Sequence, residues 1–300
     1  MPACGDRRDA PSVMRRYPPP MDLFNDTKGA TDGTAHGIRV GIGGWTYAPW
    51  RDNFYPKGLV QRRELEHASR HVTSIEINGT YYGTQKPASY AKWRDETPDG
   101  FVFSAKAPMR IMQSRALAKT SPQVEDFVGG IAELGAKLGP LVWQFEAGRR
   151  VDADELDAFL TLLPREIDGR PLRHALEVRD PGAVDGDFID LARRHQVATV
   201  FTDSTDYPSF ADLTADFVYA RLMRTEAKVK TGYEPKALDR WADAARTWAA
   251  GAEPVDVPAA DDATQEQATP PATQDTEAGN PSTVPDPVTP QIDDGAGDNN

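Results

Sequence analysis

The sequence has almost no cysteine and no long apolar run, and both absences narrow the kind of protein it can be. Cys4 is the single cysteine among 300 residues, so an intrachain disulfide is excluded. No apolar stretch reaches the roughly 18 residues that a membrane-spanning helix requires, and the N-terminus lacks the apolar core of a secretory signal. We therefore expect a cytoplasmic protein, in a reducing compartment, with no membrane partner.

The sequence also has no excess of positive charge. Its net negative charge comes almost entirely from the C-terminal 50 residues. The formal net charge is −12, from 34 Lys and Arg against 46 Asp and Glu. Residues 251–300 hold eleven of the acidic residues and no basic or aromatic residue, which leaves 35 acidic against 34 basic residues elsewhere. A neutral body does not favour a nucleic-acid partner, although it does not exclude one.

Composition divides the chain into three parts. Residues 1–35 show no sustained hydrophobic period and are predicted to be a flexible arm. Residues 36–250 are predicted to fold as one domain. Residues 251–300 are rich in Pro, Ala, Thr and acidic residues, which bury too little apolar surface to offset the entropy of ordering them. This tail is predicted to be disordered.

The domain alternates strand-length apolar runs with helical patterns, which is typical of a parallel α/β sheet. The predicted strands are 38–43, 73–77, 100–106, 140–145, 174–178, 197–203 and 216–222. The predicted helices are 59–71, 87–96, 121–138, 152–163, 187–195 and 235–249, with Ser121 as a capping residue. Seven repeats in about 215 residues favour a TIM-type (β/α)8 barrel that lacks its final strand and helix. A dinucleotide-binding turn is disfavoured, because Trp45 follows the glycines after the first strand.

Polar residues stand at the C-terminal end of nearly every predicted strand, where barrel enzymes keep their active sites. Because side chains alternate along a strand, the polar set should face inward, and Ile75, Ile77, Leu176 and Val178 should face the helices. The candidate site residues are Trp45, Tyr47, Glu76, Asn78, Tyr82, Lys106, Gln144, Glu177, Arg179, Asp203 and Arg221. The same residues would also fit an ion-pair network that only closes the barrel.

Six motifs give the chain a resemblance to a known family. They are GIGGWTYAPW (41–50), EINGTYY (76–82), FSAKAP (103–108), LGPLVWQF (138–145), ALEVRDP (175–181) and FVYARL (217–222). Their order resembles that of the YecE-like proteins, domain-of-unknown-function family 72, over about residues 38–250. The resemblance implies a TIM-type barrel in a bacterial protein and implies no reaction. It includes nine of the candidate residues, all except Tyr82 and Asp203.

The chain departs from the family's pattern at four places. A histidine is common where Asp180 stands, proline usually follows the position of Gln144, and a His-Gly pair is common where Met223 and Arg224 stand. The family's closing strand and last helix are absent, and low-complexity sequence follows instead.

The favoured function is a hydrolase or lyase acting on a small phosphorylated or sugar-containing substrate. Glu76 and Glu177 would be the general acid and base, and Lys106, Arg179 and Arg221 would hold an anion. No resident cofactor is predicted.

Three alternatives stay open. In the first, Glu76, Glu177 and Asp203 bind Mg²⁺ or Mn²⁺ for phosphodiester hydrolysis, with Trp45 and Tyr82 stacking on a base. In the second, Lys106 forms a Schiff base. In the third, the barrel is a non-catalytic ligand-binding or scaffold module. The oligomeric state is left open.

Overall fold

Seven parallel strands in one sheet form the centre of the molecule. The structure, a computed structural model, describes residues 37–150, 152–183, 185–209 and 211–254. The predicted arm, and the predicted tail from residue 255 onward, lie outside the described residues. The sheet strands are β1 (Gly41–Gly43), β2 (Ser74–Ile77), β3 (Val102–Lys106), β4 (Leu138–Phe145), β7 (His174–Val178), β8 (Ala198–Thr202) and β9 (Tyr219–Arg221).

The strands follow one another in the sheet in the order in which they occur in the chain. The order is β1-β2-β3-β4-β7-β8-β9, with every pairing parallel. This confirms the α/β class and all seven predicted strands, several of which are a few residues shorter than predicted. The added strands β5 (Glu166–Ile167) and β6 (Arg170–Pro171) form a small antiparallel hairpin.

Helices occupy the connections between the strands. They are α1 (Glu64–Ala68), α2 (Gly79–Tyr82), α3 (Pro87–Glu96), α4 (Met109–Met112), α5 (Ser121–Ile131), α6 (Ala153–Leu162), α7 (Gly186–Arg194) and α8 (Pro235–Ala249). The predicted bounds of α3 and α8 are confirmed. The short helices α2 and α4, directly after β2 and β3, were not predicted.

Two helix predictions were wrong in detail. The predicted helix 121–138 is α-helical only as far as Ile131. A 3-10 segment follows to Lys137 and is interrupted at Gly135, whose φ of 59° and ψ of −131° lie outside helical geometry. Ser121 is the first helical residue rather than the cap, which is Thr120, and the Ser121 hydroxyl donates to Glu125 at 2.9 Å. The predicted helix 59–71 contains only α1 and a preceding 3-10 turn.

Alternation along the strands separates two apolar layers. Ile75, Ile77, Leu176 and Val178 belong to the large core between sheet and helices, as predicted. A smaller cluster on the other face contains Val142, Ala175, Ala198 and Val200, with Phe217 and Tyr219 packed against it. The polar strand-end residues lie on this second face.

The sheet curls, because side chains from its seventh strand reach its second and third. The Tyr219 hydroxyl contacts Glu76 on β2 and lies 2.9 Å from the Ser104 hydroxyl on β3. The smaller apolar cluster therefore lies on the concave face. Within the described residues β1 and β9 are the two edges of the sheet, which is a half-barrel. Across these same ranges, no helix combines the length and apolar character needed to cross a bilayer.

Candidate active site

Two buried carboxylates share one arginine at the centre of the concave face. Glu76 and Glu177 are only 5% and 3% exposed. Arg221 Nη2 donates to Glu76 Oε2 at 2.7 Å, and Arg221 Nε lies 2.8 Å from Glu177 Oε2. The second contact lacks hydrogen-bond geometry, so Glu177 Oε2 keeps its capacity to accept. The Tyr219 hydroxyl donates to Glu76 Oε2. Arg221 thus joins β9 to β2 and β7 and neutralises part of the carboxylate charge.

The surroundings of Glu76 keep it ionised. Burial acts to raise the pKa of this carboxyl, but the charges of Arg221 and Lys106 and the hydrogen bonds from Tyr219 and Arg221 outweigh burial and hold the pKa below its usual value. The Tyr219 pKa is raised, first by burial and then by the charge of Glu76, so its hydroxyl keeps its proton. Glu76 therefore acts as a carboxylate rather than as a proton donor.

Arg179 is the centre of a second network beside the first. Its Nε donates to Glu177 Oε1 at 2.9 Å and its Nη2 to Gln144 Oε1 at 3.1 Å. Its Nη1 lies 3.5 Å from Glu146 Oε2, and its guanidinium lies 4.5 Å from the Tyr207 ring centroid. Both strand-end arginines are thus engaged by carboxylates, which leaves them less able to hold a substrate anion.

Lys106 stands apart from these ion pairs. Its amino group lies 5.5 Å from the Tyr81 ring centroid, and no hydrogen bond or ion pair to it is found within the described ranges. Burial is the largest cause that lowers the pKa of Lys106, the charge of Arg221 adds to it, and Glu76 and Glu177 oppose it. A partly exposed amine of lowered pKa can exchange its proton or act as a nucleophile.

Two buried acceptors at the C-terminal end of β2 have no donor among the described residues. They are Glu76 Oε1 and Asn78 Oδ1. Asn78 occupies the N-cap position of α2 but makes no capping hydrogen bond. Its amide lies over Gly43, where an added Cβ would come within 3.2 Å of Asn78 Nδ2. Because unpaired buried acceptors are costly, this place fits a ligand that supplies hydrogen-bond donors.

A cleft of about 440 Å³ opens beside Gln144 and Glu146 at the C-terminal end of β4. Its other lining residues are Met112, Gln113, Ala147, Gly148, Arg149 and Arg150. Tyr81 Oη donates to Glu146 Oε1 at 2.9 Å, and burial followed by this bond raises the pKa of Tyr81 to about 12. The cleft is open to solvent, and Gln144 is the only candidate site residue among those that line it.

The structure does not bring all predicted site residues together. The Trp45 ring packs on Trp93 at 5.0 Å and on Phe103 at 6.4 Å, so it belongs to the core rather than to a stacking wall. Tyr47 and Tyr82 are 44% and 58% exposed and make edge contacts with neighbouring aromatic rings. Of the three aromatic candidates, only Tyr47 and Tyr82 are exposed enough to contact a ligand.

Both carboxylate oxygens of Asp203 accept hydrogen bonds from the protein itself. Its Oδ1 accepts the Met223 amide at 2.5 Å, and its Oδ2 accepts the Tyr233 hydroxyl at 2.7 Å. Throughout the described part of the chain, no group of three or more His, Cys, Asp or Glu is placed to hold a metal ion. The arrangement therefore lends no support to a metal site of Glu76, Glu177 and Asp203.

Sequence reasoning missed several members of the site. They are Tyr81, Ser104, Glu146, Tyr207 and Tyr219. Tyr219 had a signal, since it lies two residues before Arg221 and so shares its face. Tyr81 had a weaker one, in the aromatic pair after β2. Tyr207 lies in a loop and had none.

A match to a family model accompanies this geometry. The model described as "Protein of unknown function DUF72" matches residues 39–283, past the predicted end of the domain at residue 250. UPF0759 protein YecE of Escherichia coli K12 is 30% identical over 146 residues, covering 48% of this chain and 49% of YecE. UPF0759 protein YunF of Bacillus subtilis 168 is 31% identical over 70 residues, 23% of this chain and 24% of YunF. The chain thus spans about half or less of the length of these curated relatives.

Two crystal structures have a similar fold. A DUF72 family protein of Thermotoga maritima MSB8 has a TM-score of 0.54 and 20% identity, covering 66% of this chain and 78% of its own. A DUF72 family protein of Enterococcus faecalis V583 has a TM-score of 0.54 and 18% identity, covering 72% and 86%. At these identities the likeness concerns the fold alone.

Proposed function

The chain belongs to the DUF72 family of proteins of unknown function, and from its site we propose a hydrolase or lyase that acts on a small sugar-containing substrate. One observation carries the proposal: Glu76 Oε1 and Asn78 Oδ1 are buried acceptors without donors among the described residues. They lie at the same end of adjacent strands as Lys106, whose amine makes no hydrogen bond or ion pair with those residues. Sugar hydroxyls would satisfy the two acceptors, and Lys106 would exchange the proton that the reaction moves. Glu76, held as a carboxylate, would be the base.

The charges favour a neutral sugar over a phosphorylated one. Arg221 is paired with Glu76 and Glu177, and Arg179 with Glu177 and Glu146. A phosphate would have to displace these carboxylates, and the buried Glu76 and Glu177 would then lose their compensating charge. Of the three cations at the strand ends, Lys106 is the one without an ion pair among the described residues. A single amine binds a phosphate dianion weakly.

We further propose that the seven strands are the wall of a TIM-type (β/α)8 barrel, of which the described residues include no eighth strand. The contacts of Tyr219 with β2 and β3 support this, because they require the last strand to curl toward the first ones. In such a barrel the polar strand ends face one mouth, where ligands bind.

Ligand-dependent thermal unfolding tests the function. Ribose and xylitol should raise the Tm of the wild type in a concentration-dependent manner, because a ligand that binds only the folded state stabilises it. Ribose 5-phosphate should raise Tm no further than ribose does. Asn78→Ala should lose the effect, whereas Asn53→Ala, at an exposed position, should keep it.

Sugars that bind are then followed by NMR for conversion by the wild type and by Glu76→Gln. Turnover by the wild type alone supports the proposal. If no sugar stabilises the protein, or if Asn78→Ala responds as the wild type does, the proposal is wrong.

A further inference from the structure

The lysine at the end of β3 has the features of an amine that bonds covalently to its ligand. Lys106 is partly exposed, so a ligand can reach it. Among the described residues its amino group lies over the Tyr81 ring and makes no hydrogen bond or ion pair, although the charges of Glu76 and Glu177 act on it. Lys137, by contrast, donates to the carbonyls of Arg94 and Thr97 at 2.5 and 2.6 Å and to the Thr97 hydroxyl at 3.1 Å. The Lys137 amine is therefore hydrogen-bonded within the protein, whereas the Lys106 amine is available to a ligand.

The groups around Lys106 indicate which carbonyl compound would suit it. Glu76 on β2 lacks a donor at Oε1, and Asn78 just beyond β2 lacks one at Oδ1. Since β2 and β3 are hydrogen-bonded neighbours, with Glu76 paired to Ser104, these acceptors and the amine lie at the same end of adjacent strands. A ligand with a carbonyl group beside hydroxyl groups would match both, because the hydroxyls supply the missing donors.

We propose that Lys106 forms an imine with the open-chain form of an α-hydroxy aldehyde or ketone. The amine nitrogen forms a bond to the carbonyl carbon, and the carbonyl oxygen leaves as water with two hydrogens from the ammonium group, which gives a protonated imine. The imine withdraws electrons from the adjacent C–H bond. Glu76 takes that proton, and the electron pair moves toward nitrogen as an enamine.

This inference rests on the proposed function. It narrows the reaction to that of a lyase, or of an isomerase, that removes a proton from carbon. A burial-lowered pKa supports it, since a larger fraction of the amine is unprotonated at neutral pH. The neighbouring Arg221 and Arg179 contribute positive charge that disfavours a protonated lysine.

Borohydride trapping tests the imine. The wild-type chain is incubated with dihydroxyacetone or D-glyceraldehyde, reduced with sodium borohydride, digested and mapped by mass spectrometry. We expect a mass increase equal to the probe less one oxygen atom on Lys106, at several-fold higher occupancy than on Lys137, the internal control. Lys106→Arg, which keeps the charge but has no reactive amine, should lose the adduct while retaining the wild-type circular dichroism spectrum.

Equal labelling of Lys106 and Lys137, or no adduct on Lys106, would overturn the imine. Xylitol separates this failure from failure of the proposed function, because it has hydroxyls but no carbonyl. If xylitol still stabilises the wild type and not Asn78→Ala, the sugar site stands without the imine. If xylitol has no effect and no adduct forms, both proposals are wrong.

Discussion

Replacing Arg221 by methionine should expose how much of the stability depends on one shared guanidinium. Arg221 contacts Glu76 at 2.7 Å and Glu177 at 2.8 Å, and its own side chain is only 16% exposed. Glu177 would keep Arg179 at 2.9 Å, so the substitution leaves one buried carboxylate, Glu76, without a contacting cation. Breaking one buried ion pair costs about 3–5 kcal/mol, which is a large share of the roughly 5–15 kcal/mol of a typical domain.

The loss should depend on pH in a defined direction. In the wild type the lowered pKa of Glu76 contributes stability that is present above the unfolded value and is lost as pH falls through the folded one. In Arg221→Met, only the charge of Lys106 and the hydrogen bond from Tyr219 would still oppose burial, so the pKa of Glu76 should rise. The deficit relative to the wild type should then be larger at pH 7 than at pH 5, where Glu76 takes up a proton.

Urea unfolding at the two pH values measures this deficit. The double variant Arg221→Met/Glu76→Gln should recover part of the loss at pH 7, because it has no unpaired charge at position 76. Arg246→Met, which breaks an exposed pair with Asp243, is the control and should change little. An equal deficit at both pH values, with no recovery in the double variant, would mean that lost packing and not charge explains the effect.

Two further predictions concern residues outside the catalytic proposal. Burial lowers the pKa of His174 to about 4. The contribution of His174 to stability is therefore complete above the unfolded pKa of about 6.5 and is lost as pH falls toward 4. Urea unfolding should show a loss of about 3 kcal/mol over this pH range in the wild type and not in His174→Gln. A wild-type curve that matches that of His174→Gln would contradict this. Asp203→Asn should increase hydrogen exchange at the Met223 amide, which Asp203 accepts, while leaving sugar-dependent stabilisation unchanged. Loss of that stabilisation would instead make Asp203 a site residue.

The five inner strands were predictable because they are apolar runs buried on both faces, whereas the edge strands β1 and β9 are partly exposed. The ends of the helices were less predictable than the strands. The helix predicted for 121–138 is α-helical only to Ile131, and the 3-10 segment after it contains a non-helical backbone conformation at Gly135 that hydrophobic spacing does not report. The short helices α2 and α4 have four residues each, too few for a hydrophobic period to appear.

The direction of the site residues was also predictable, but their partners were not. Alternation along β2 and β7 places Glu76 and Glu177 on the concave face. That Glu76 pairs with Arg221 and Tyr219 depends on how far the sheet curls, which no local pattern encodes. Trp45 shows the opposite error: it follows Gly44, whose φ of 76° turns the chain, and its ring packs into the core instead of facing the mouth.

The ion pair between Glu76 and Arg221 has a consequence for how the protein is made. The two residues are separated by 145 positions in the chain. At a synthesis rate of about 5–20 residues per second, β2 leaves the ribosome several seconds or more before its partner on β9 exists. Until then Glu76 has no Arg221 to compensate its charge, and of the two cations that stabilise it only Lys106, on β3, has been made. We therefore expect this face of the first strands to stay hydrated until the last strand docks on them.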